Sequence, residues 1–368
     1  RPAGPAGVFF ERRNVKSNDQ FVGVTREVHP LSHLVLDNRM ARAMNEGVSR
    51  YPIYRTVRFA ARVELETLFD ALALDPAWRA ERLHSEAMLL DGDGLFISGY
   101  GSRKVDYCSC TFYVWAADIA RAADAKRRLL DKAGSTRITE SMFTVEWTFL
   151  TANGELDNAF IEEMANDALR DLAYPQIAGG VRAFVDRYLN APETVLVLQG
   201  PPGTGKTRLI RGILGEISRR KNADQEARVL YTGDMKALAS DEIYVRFITG
   251  CQDAFVIEDA DHLLKPRADG NEHLHRFLTI ADGVVRSQGR KIIFSTNLPN
   301  VGDLDEALIR PGRCFARVYV RNLSVAEAKS LAEEIAAGDA EKQTRAALAF
   351  AADGERKRSL AEIYQALR

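Results

Sequence analysis

One segment of the chain has glycines, a lysine and a hydroxyl spaced to hold phosphate groups. It reads Gly-Pro-Pro-Gly-Thr-Gly-Lys-Thr and fits the pattern G-x-x-x-x-G-K-[ST] at every fixed position. Its glycines let successive backbone N–H groups face one anion, and the following helix N-terminus adds partial positive charge. Lys206 is expected to reach the β- and γ-phosphates of a nucleoside triphosphate, and the Thr207 hydroxyl to bind Mg²⁺. The residues predicted to contact the nucleotide are Gly200, Pro201, Pro202, Gly203, Thr204, Gly205, Lys206, Thr207 and Arg208.

Two adjacent carboxylates, Glu258 and Asp259, directly follow the apolar run Ala254–Ile257. Because ligands bind at the carboxyl ends of parallel strands, both carboxylates are expected beside the phosphate-binding segment. We expect Glu258 to hold Mg²⁺ through its water shell and Asp259 to polarise an attacking water. Asp261 is a further candidate for either role.

An amide and two guanidinium groups complete the candidate catalytic set. Asn297 follows another apolar run, where its side chain can orient the attacking water and contact the γ-phosphate. Arg310 and Arg313 flank a Pro-Gly pair, and two arginines on a rigid turn are suited to stabilising charge on a transferring phosphoryl group. The predicted catalytic residues are Glu258, Asp259, Asn297, Arg310 and Arg313.

The elements that must position these residues alternate between strands and helices. This alternation is typical of an α/β fold with a parallel sheet covered on both faces. Helices are also predicted at Leu156–Leu172 and Val181–Leu189. After Asn322 the chain becomes Ala-rich, and Ser324-Val-Ala-Glu327 predicts a capping box, so residues 323–368 are expected to form a small helical lid. The apolar runs that predict strands cover residues 194–198, 228–232, 254–257, 291–295 and 316–320.

The chain before residue 154 has a different pattern. Residues 1–20 are rich in Pro, Gly and charge and are expected to be a mobile arm. Residues 21–153 are predicted to form an α+β N-terminal domain with a largely antiparallel sheet, which recognises a partner. Residues 154–322 are predicted to be the large α/β nucleotide-binding subdomain. Within the N-terminal domain, strands are expected near residues 56–63, 94–98, 107–115 and 141–150, and helices near residues 65–74 and 117–133.

Composition sets broad limits on function. The 368 residues are 46% hydrophobic with a formal net charge of −1, which gives no support for a dominant nucleic-acid or anionic-membrane surface. The longest apolar runs are far shorter than the about 20 residues needed to span a bilayer. The four cysteines lack the paired spacing of a zinc site, so reduced thiols and a cytoplasmic location are expected. Because the sequence begins with Arg1, the presence of an upstream targeting or anchoring segment is left undecided.

The order of these motifs resembles the AAA family of ring-forming ATPases, part of the AAA+ superfamily. The resemblance covers roughly residues 155–368 and rests on the phosphate-binding segment, the acidic pair, Ser-Thr-Asn, and Leu-Asp-Glu-Ala-Leu-Ile-Arg-Pro-Gly-Arg. It implies a Rossmann-like P-loop sheet, ATP and Mg²⁺ as cofactors, and a homo-oligomeric ring, usually a hexamer. It also implies that Asn297 is a sensor, that Arg310 and Arg313 reach into a neighbouring subunit's site, and that Ile177 lines the adenine pocket.

The chain departs from the family pattern in its acidic pair. The family usually has Asp-Glu where this chain has Glu258-Asp259, an order that resembles the mitochondrial AAA ATPases that assemble respiratory complex III. The shorter side chain of Asp259 predicts slower hydrolysis. The stretch Tyr231–Ser240 has no aromatic–hydrophobic–glycine triplet of the kind found in pore loops, which favours remodelling of a folded partner over threading of an unfolded chain.

The predicted function is therefore an ATPase that remodels or moves a protein partner selected by its N-terminal domain. Two alternatives stay open. Basic clusters would suit a nucleic-acid-linked ATPase of the helicase-loader or DNA-mobility type, although no aromatic residues are interleaved with them for base stacking. A small-molecule kinase is disfavoured by the paired arginines and the helical lid. The basic clusters are residues 126–128, 219–221 and 356–358.

Overall fold

The computed structural model describes residues 51–138, 142–164, 168–221, 227–266, 274–282, 289–300, 304–350 and 356–368. The chain divides into two compact units between Thr139 and Glu140, and each unit is built on its own sheet. The arm expected over residues 1–20 lies outside the described residues.

The first unit has an α+β fold, as predicted. Helices α1 (Leu65–Ala73) and α2 (Ile119–Ala133) contribute to one apolar core with the sheet. α2 begins at an Asp118 cap whose carboxylate accepts the Arg121 N–H, and its small buried residues recur at helical spacing. Cys108 and Cys110 are buried strand residues, as expected. The strands are β1 (Ile53–Ala61), β2 (Arg79–His84), β3 (Ala87–Gly92), β4 (Leu95–Arg103), β5 (Cys108–Ala116) and β6 (Arg137–Ile138). They pair antiparallel in the order β2-β3-β4-β5-β1-β6.

The second unit is built on a seven-stranded sheet, which confirms the α/β prediction. Its strands are β7 (Met142–Leu150), β8 (Leu156–Met164), β9 (Val195–Gln199), β10 (Ala227–Thr232), β11 (Ala254–Ile257), β12 (Lys291–Thr296) and β13 (Cys314–Tyr319). The order is β13-β9-β12-β11-β10-β7-β8, and every neighbouring pair is parallel except β7 with β8. All residues of β9, β11 and β12 are buried, as expected for strands covered on both faces.

The hairpin of β7 and β8 corrects two predictions. β7 is predicted from sequence as part of the N-terminal domain, but it pairs in parallel with β10, so the boundary between units precedes it. A helix is predicted over Leu156–Leu172, but Leu156–Met164 is a strand. Leu156, Phe160 and Met164 are four residues apart and imitate a helical stripe. Continuous pairing of β8 with β7 instead decides the conformation.

Helices cover the sheet of the second unit and form the predicted lid. In the described residues after position 322 there are three helices: α9 (Val325–Ala336), α10 (Ala340–Phe350) and α11 (Leu360–Ala366). The predicted capping box of Ser324 and Glu327 is present, and Ser359 with Glu362 forms a second one at α11. Lid residues share one apolar core with the sheet. The other helices are α3 (Val181–Asn190), α4 (Lys206–Arg220), α5 (Met235–Ala239), α6 (Asp241–Thr249), α7 (Asp261–Leu264) and α8 (Leu274–Asp282).

Gly200, where β9 meets the phosphate-binding segment, has no room for a side chain. A Cβ atom there would lie 1.9 Å from the backbone oxygen of Val320, and φ is +149°. We expect Gly200→Ala to lower the free energy of unfolding by about 3 kcal/mol, because a backbone atom cannot yield as a side chain can. Urea unfolding measures this. Gly233→Ala is the control, since a Cβ there meets nothing within 4 Å; equal effects of the two changes would contradict the steric account.

Candidate active site

Lys206 is the first residue of α4 and lies at the centre of the site. Gly203 and Gly205 adopt φ values of +77° and +99°, which let the preceding loop fold back around the lysine. The side chain is buried, and its Nζ donates to the carbonyl oxygens of Gly200 (2.6 Å) and Pro201 (3.0 Å). Burial lowers the pKa of the Lys206 ammonium, whereas three nearby carboxylates act in the opposite direction. The lysine Nζ is thus surrounded by oxygen acceptors at the carboxyl end of β9.

Asn297 joins the lysine to one of the predicted carboxylates. It directly follows β12, the neighbour of β9 in the sheet. Its Oδ1 accepts a hydrogen bond from Lys206 Nζ at 2.9 Å, and its Nδ2 donates to Asp259 Oδ1 at 2.9 Å. One amide therefore links the residue expected to contact the γ-phosphate to the residue expected to polarise the attacking water.

Glu258 is held through both of its carboxylate oxygens. Oε1 accepts a hydrogen bond from the Thr207 hydroxyl at 2.5 Å, and Oε2 accepts one from the Tyr231 hydroxyl at 3.1 Å. Burial, together with the charge of Glu258, raises the pKa of Tyr231 to about 12, so this phenol remains a donor at neutral pH. The two residues predicted to hold Mg²⁺, Thr207 and Glu258, are in direct contact.

Asp259 and Asp261 have different surroundings although they are close in sequence. Asp259 is exposed, with a left-handed φ of +50° that is uncommon outside glycine. Asp261 Oδ1 accepts hydrogen bonds from the Thr296 hydroxyl (2.5 Å) and from the Asn297 N–H (2.7 Å). Asp261 therefore anchors the end of β12, and the carboxylate that contacts the Asn297 side chain is Asp259.

The lid contacts the phosphate-binding segment directly. The Ala361 N–H, in the first turn of α11, donates to the Gly203 carbonyl at 3.0 Å. The Arg208 guanidinium lies 3.8 Å from the centroid of the Tyr364 ring in the same helix. A movement of α11 would therefore alter the contacts of the loop expected to hold the phosphates.

The stretch around Ile177, expected to line the adenine pocket, also reaches this loop. Ile177 is buried in the core that α11 shares, and the Tyr174 hydroxyl donates to the Gly205 carbonyl at 3.0 Å. Among the residues that the structure describes, neither polar atom of the buried Gln176 amide has a hydrogen-bond partner.

The predicted arginines lie on one anchored turn. Asp305 is buried; its backbone N–H donates to the Leu264 carbonyl, and its carboxylate accepts the Ala307 N–H. Arg313 Nη1 donates to the Ala307 carbonyl within the same turn. Arg310 is exposed, and in the described part of the chain no hydrogen bond or ion pair involves its side chain. The turn thus presents the Arg310 guanidinium to solvent.

Comparison with known proteins places this site in a family. The family described as "ATPase family associated with various cellular activities (AAA)" matches residues 196–322, which include the phosphate-binding segment, the acidic pair, Asn297 and both arginines. Residues 196–322 are an AAA ATPase domain. The first unit lies outside the matched range.

Individual relatives share this domain. An AAA-ATPase of Arabidopsis thaliana is 31% identical over 217 residues, covering 53% of this chain and 44% of that protein. Spastin of Drosophila persimilis is 32% identical over 194 residues, covering 50% of this chain and 22% of that protein. A Schizosaccharomyces pombe protein named as a mitochondrial chaperone, bcs1, is 31% identical over 143 residues, covering 37% of this chain and 30% of that protein. The chain therefore matches less than half the length of each relative.

The residues of the AAA domain fit a magnesium nucleotide. Thr207 and Glu258 offer two hard oxygen ligands within 2.5 Å of each other, the donor type that Mg²⁺ prefers. Among the residues that the structure describes, no group of three or more His, Cys, Asp or Glu side chains could hold a metal ion alone. The described helices also include none long and apolar enough to cross a membrane. A cation here would be bound by the Thr207 hydroxyl, water and the phosphates, with Glu258 holding it through the water shell.

The link through Asn297 generates a prediction. Asn297→Ala separates Lys206 from Asp259, so we expect kcat for ATP hydrolysis to fall by about tenfold or more. Affinity for a fluorescent ADP analogue should change by less than about threefold, because the loop and helix that bind phosphates are unaltered. Asn190→Ala, an exposed change at the end of α3, is the control. A parallel loss of affinity and rate would show that Asn297 supports the loop and not the chemical step.

Proposed function

We propose that the protein is a ring-forming ATPase that uses ATP turnover to remodel or move a protein partner, selected by the first unit. One of the relatives reported above is named as a chaperone. ATP is proposed as the nucleotide and Mg²⁺ as the metal. A ring of six subunits and a cytoplasmic location stay predictions.

One observation carries the ring proposal. The Asn297 amide joins Lys206 to Asp259, and Glu258 is bonded to Thr207. In contrast, the Arg310 side chain makes no bond within the described residues of its own chain. An exposed arginine on an anchored Pro-Gly turn is suited to act in trans. Arg313, which bonds within its own turn, also supports the orientation of Arg310.

In the proposed chemistry each side chain has a distinct role. When bound, Mg²⁺ would neutralise charge on the phosphates. Lys206 and the N-terminus of α4 bind the phosphate oxygens, and Thr207 with Glu258 fixes the cation's ligands. Asp259 Oδ1 is occupied by the Asn297 amide, which leaves Oδ2 to accept a proton from the attacking water. Arg310 of a neighbouring subunit would stabilise charge on the transferring group.

Charge pairing disfavours the nucleic-acid alternative. Arg127 and Arg128 are paired with Asp124, and Arg220 is paired with Asp186 and Glu216. Lys221 is likewise paired with Asp253, and Arg356 with Glu362. Each basic cluster identified in the sequence thus carries its own counter-charges, which weakens the attraction to a phosphate backbone.

The trans role of Arg310 is tested by mixing two inactive variants. Lys206→Ala removes the phosphate-binding cation and Arg310→Ala removes the proposed finger, so each alone should lose ATP hydrolysis. In a random equal mixture, about a quarter of the interfaces pair an intact nucleotide site with an intact arginine, so about a quarter of wild-type activity should return. Arg182→Ala, an exposed arginine on α3, is the control. Failure of activity to return in rings shown to contain both subunits would reject the trans arrangement.

The protein-partner role is tested by trapping. Asp259→Asn removes the proton acceptor but keeps the side-chain shape, so this variant should bind ATP, hydrolyse it slowly and retain its partner. Affinity capture with ATP after nuclease treatment should recover a protein that is missing with ADP. The same protein should be missing with Lys206→Ala. Identical captured proteins under all these conditions would argue against nucleotide-coupled partner binding.

A further inference from the structure

The acidic pair of this AAA domain places a long side chain at the position expected to hold the cation. Glu258 has one more rotatable bond than the Asp usual in the resembling family, so its carboxylate must be ordered at a larger entropic cost. The Thr207 hydroxyl fixes only one of its oxygens, Oε1. A second contact is needed to define the plane of the carboxylate.

Tyr231 supplies that contact from the neighbouring strand. Tyr231 pairs with Val256 in the parallel register of β10 and β11, so Glu258, two residues later, lies on the same face of the sheet. The Tyr231 hydroxyl reaches Glu258 Oε2 at 3.1 Å. The two hydroxyls, from Thr207 and Tyr231, thus bind the two oxygens of one carboxylate.

The edge hairpin packs against the tyrosine. Trp147 of β7 is the register partner of Tyr231 in β10. The two rings are 6.2 Å apart at 81°, an edge-to-face arrangement. Trp147 therefore limits the orientations of the phenol, while Trp147 itself is 46% exposed.

We propose that Tyr231 is a positioning residue that orients the Glu258 carboxylate toward the cation site, with Trp147 of the edge hairpin holding the phenol in place. This inference rests on the proposed Mg²⁺-dependent nucleotide site. It means that the β7–β8 hairpin completes the support of the cation ligand in addition to extending the sheet.

The decisive experiment is a double-mutant cycle on Tyr231→Phe and Glu258→Asp. Tyr231→Phe should raise the Mg²⁺ concentration for half-maximal ATP hydrolysis by about tenfold, as expected when a residue supporting a metal ligand is lost. In the Glu258→Asp background the same change should have less than about a twofold effect, because the shorter carboxylate no longer reaches the phenol. Equal effects of Tyr231→Phe in both backgrounds would overturn the proposal.

A binding measurement keeps the test independent of turnover. The affinity of a fluorescent ADP analogue is measured with Mg²⁺ and with a chelator. Tyr231→Phe should reduce the gain in affinity that Mg²⁺ provides and leave the chelator value unchanged. If the wild-type protein shows no ATP hydrolysis, the proposed function fails, yet the ratio of the affinities with and without Mg²⁺ still tests Tyr231. A loss of affinity that is equal with and without Mg²⁺ would show a structural role only.

Matched variants separate the proposed contact from general loss of packing. Tyr244→Phe removes another phenol hydroxyl of the same unit, one that donates to the Leu238 carbonyl. It should not change the Mg²⁺ dependence. Trp147→Ala should shift the Mg²⁺ dependence in the direction of Tyr231→Phe, with no further shift when the two are combined, whereas Trp147→Phe should restore most of it. A shift by Tyr244→Phe as large as that by Tyr231→Phe would also overturn the proposal.

Discussion

The buried ammonium of Lys206 is the interaction on which the active site depends. A buried charge is tolerated only where oxygens surround it, and its third oxygen comes from Asn297, 91 positions away in the chain. That oxygen is available because β9 and β12 are parallel neighbours that end together, with Gln199 opposite Thr296. The strand order of the sheet therefore serves the buried ammonium and the site together, because it brings Asn297 next to Lys206. Without this pairing, neither the loop nor the Asn297 amide would have its observed position.

The contacts of the site extend outward from the lysine across three strand ends. The Asn297 side chain bonds to both Lys206 and Asp259. The Asp261 carboxylate accepts a hydrogen bond from the Asn297 backbone N–H. The Asn297 amide is thereby used twice, with its oxygen bonded to Lys206 and its nitrogen bonded to Asp259. Such networks rigidify a site because removing one member leaves the others unsatisfied. This accounts for the way the AAA domain holds these polar groups on rigid elements, while the lid helix α11 contacts the phosphate-binding segment through the Ala361 N–H.

The sequence predicts the structure best where the chemistry of a residue and the conformation of its backbone require the same residue type. Gly203, Gly205 and Lys206 define the loop because few other residues permit its geometry, and the strands of the sheet centre were predicted from continuous apolar runs. The sequence predicts β8 incorrectly because Leu156, Phe160 and Met164 have helical spacing. Continuous pairing with β7, which itself pairs with the distant strand β10, decides otherwise. Tyr231 escaped notice as a site residue for a related reason. Its contact with Glu258 depends on strand register, which no local pattern reveals.

The exchanged order of Glu258 and Asp259 is matched by the surroundings of each carboxylate. The longer side chain reaches Thr207 and is restrained by Tyr231, so its added freedom is removed by two hydroxyls. Asp259 has the shorter side chain, and its backbone adopts a φ of +50°. A φ of this kind costs about 1 kcal/mol in a non-glycine residue. In this conformation the Asp259 carboxylate contacts Asn297 at 2.9 Å. Strain of this kind persists where neighbouring contacts enforce it. Here the enforcing contacts are the Asp259 N–H to the Ser295 hydroxyl and the Ala260 N–H to the Ser295 carbonyl. The reversed pair is thus supported on both sides, which explains how the chain can depart from the usual order and still assemble one connected site.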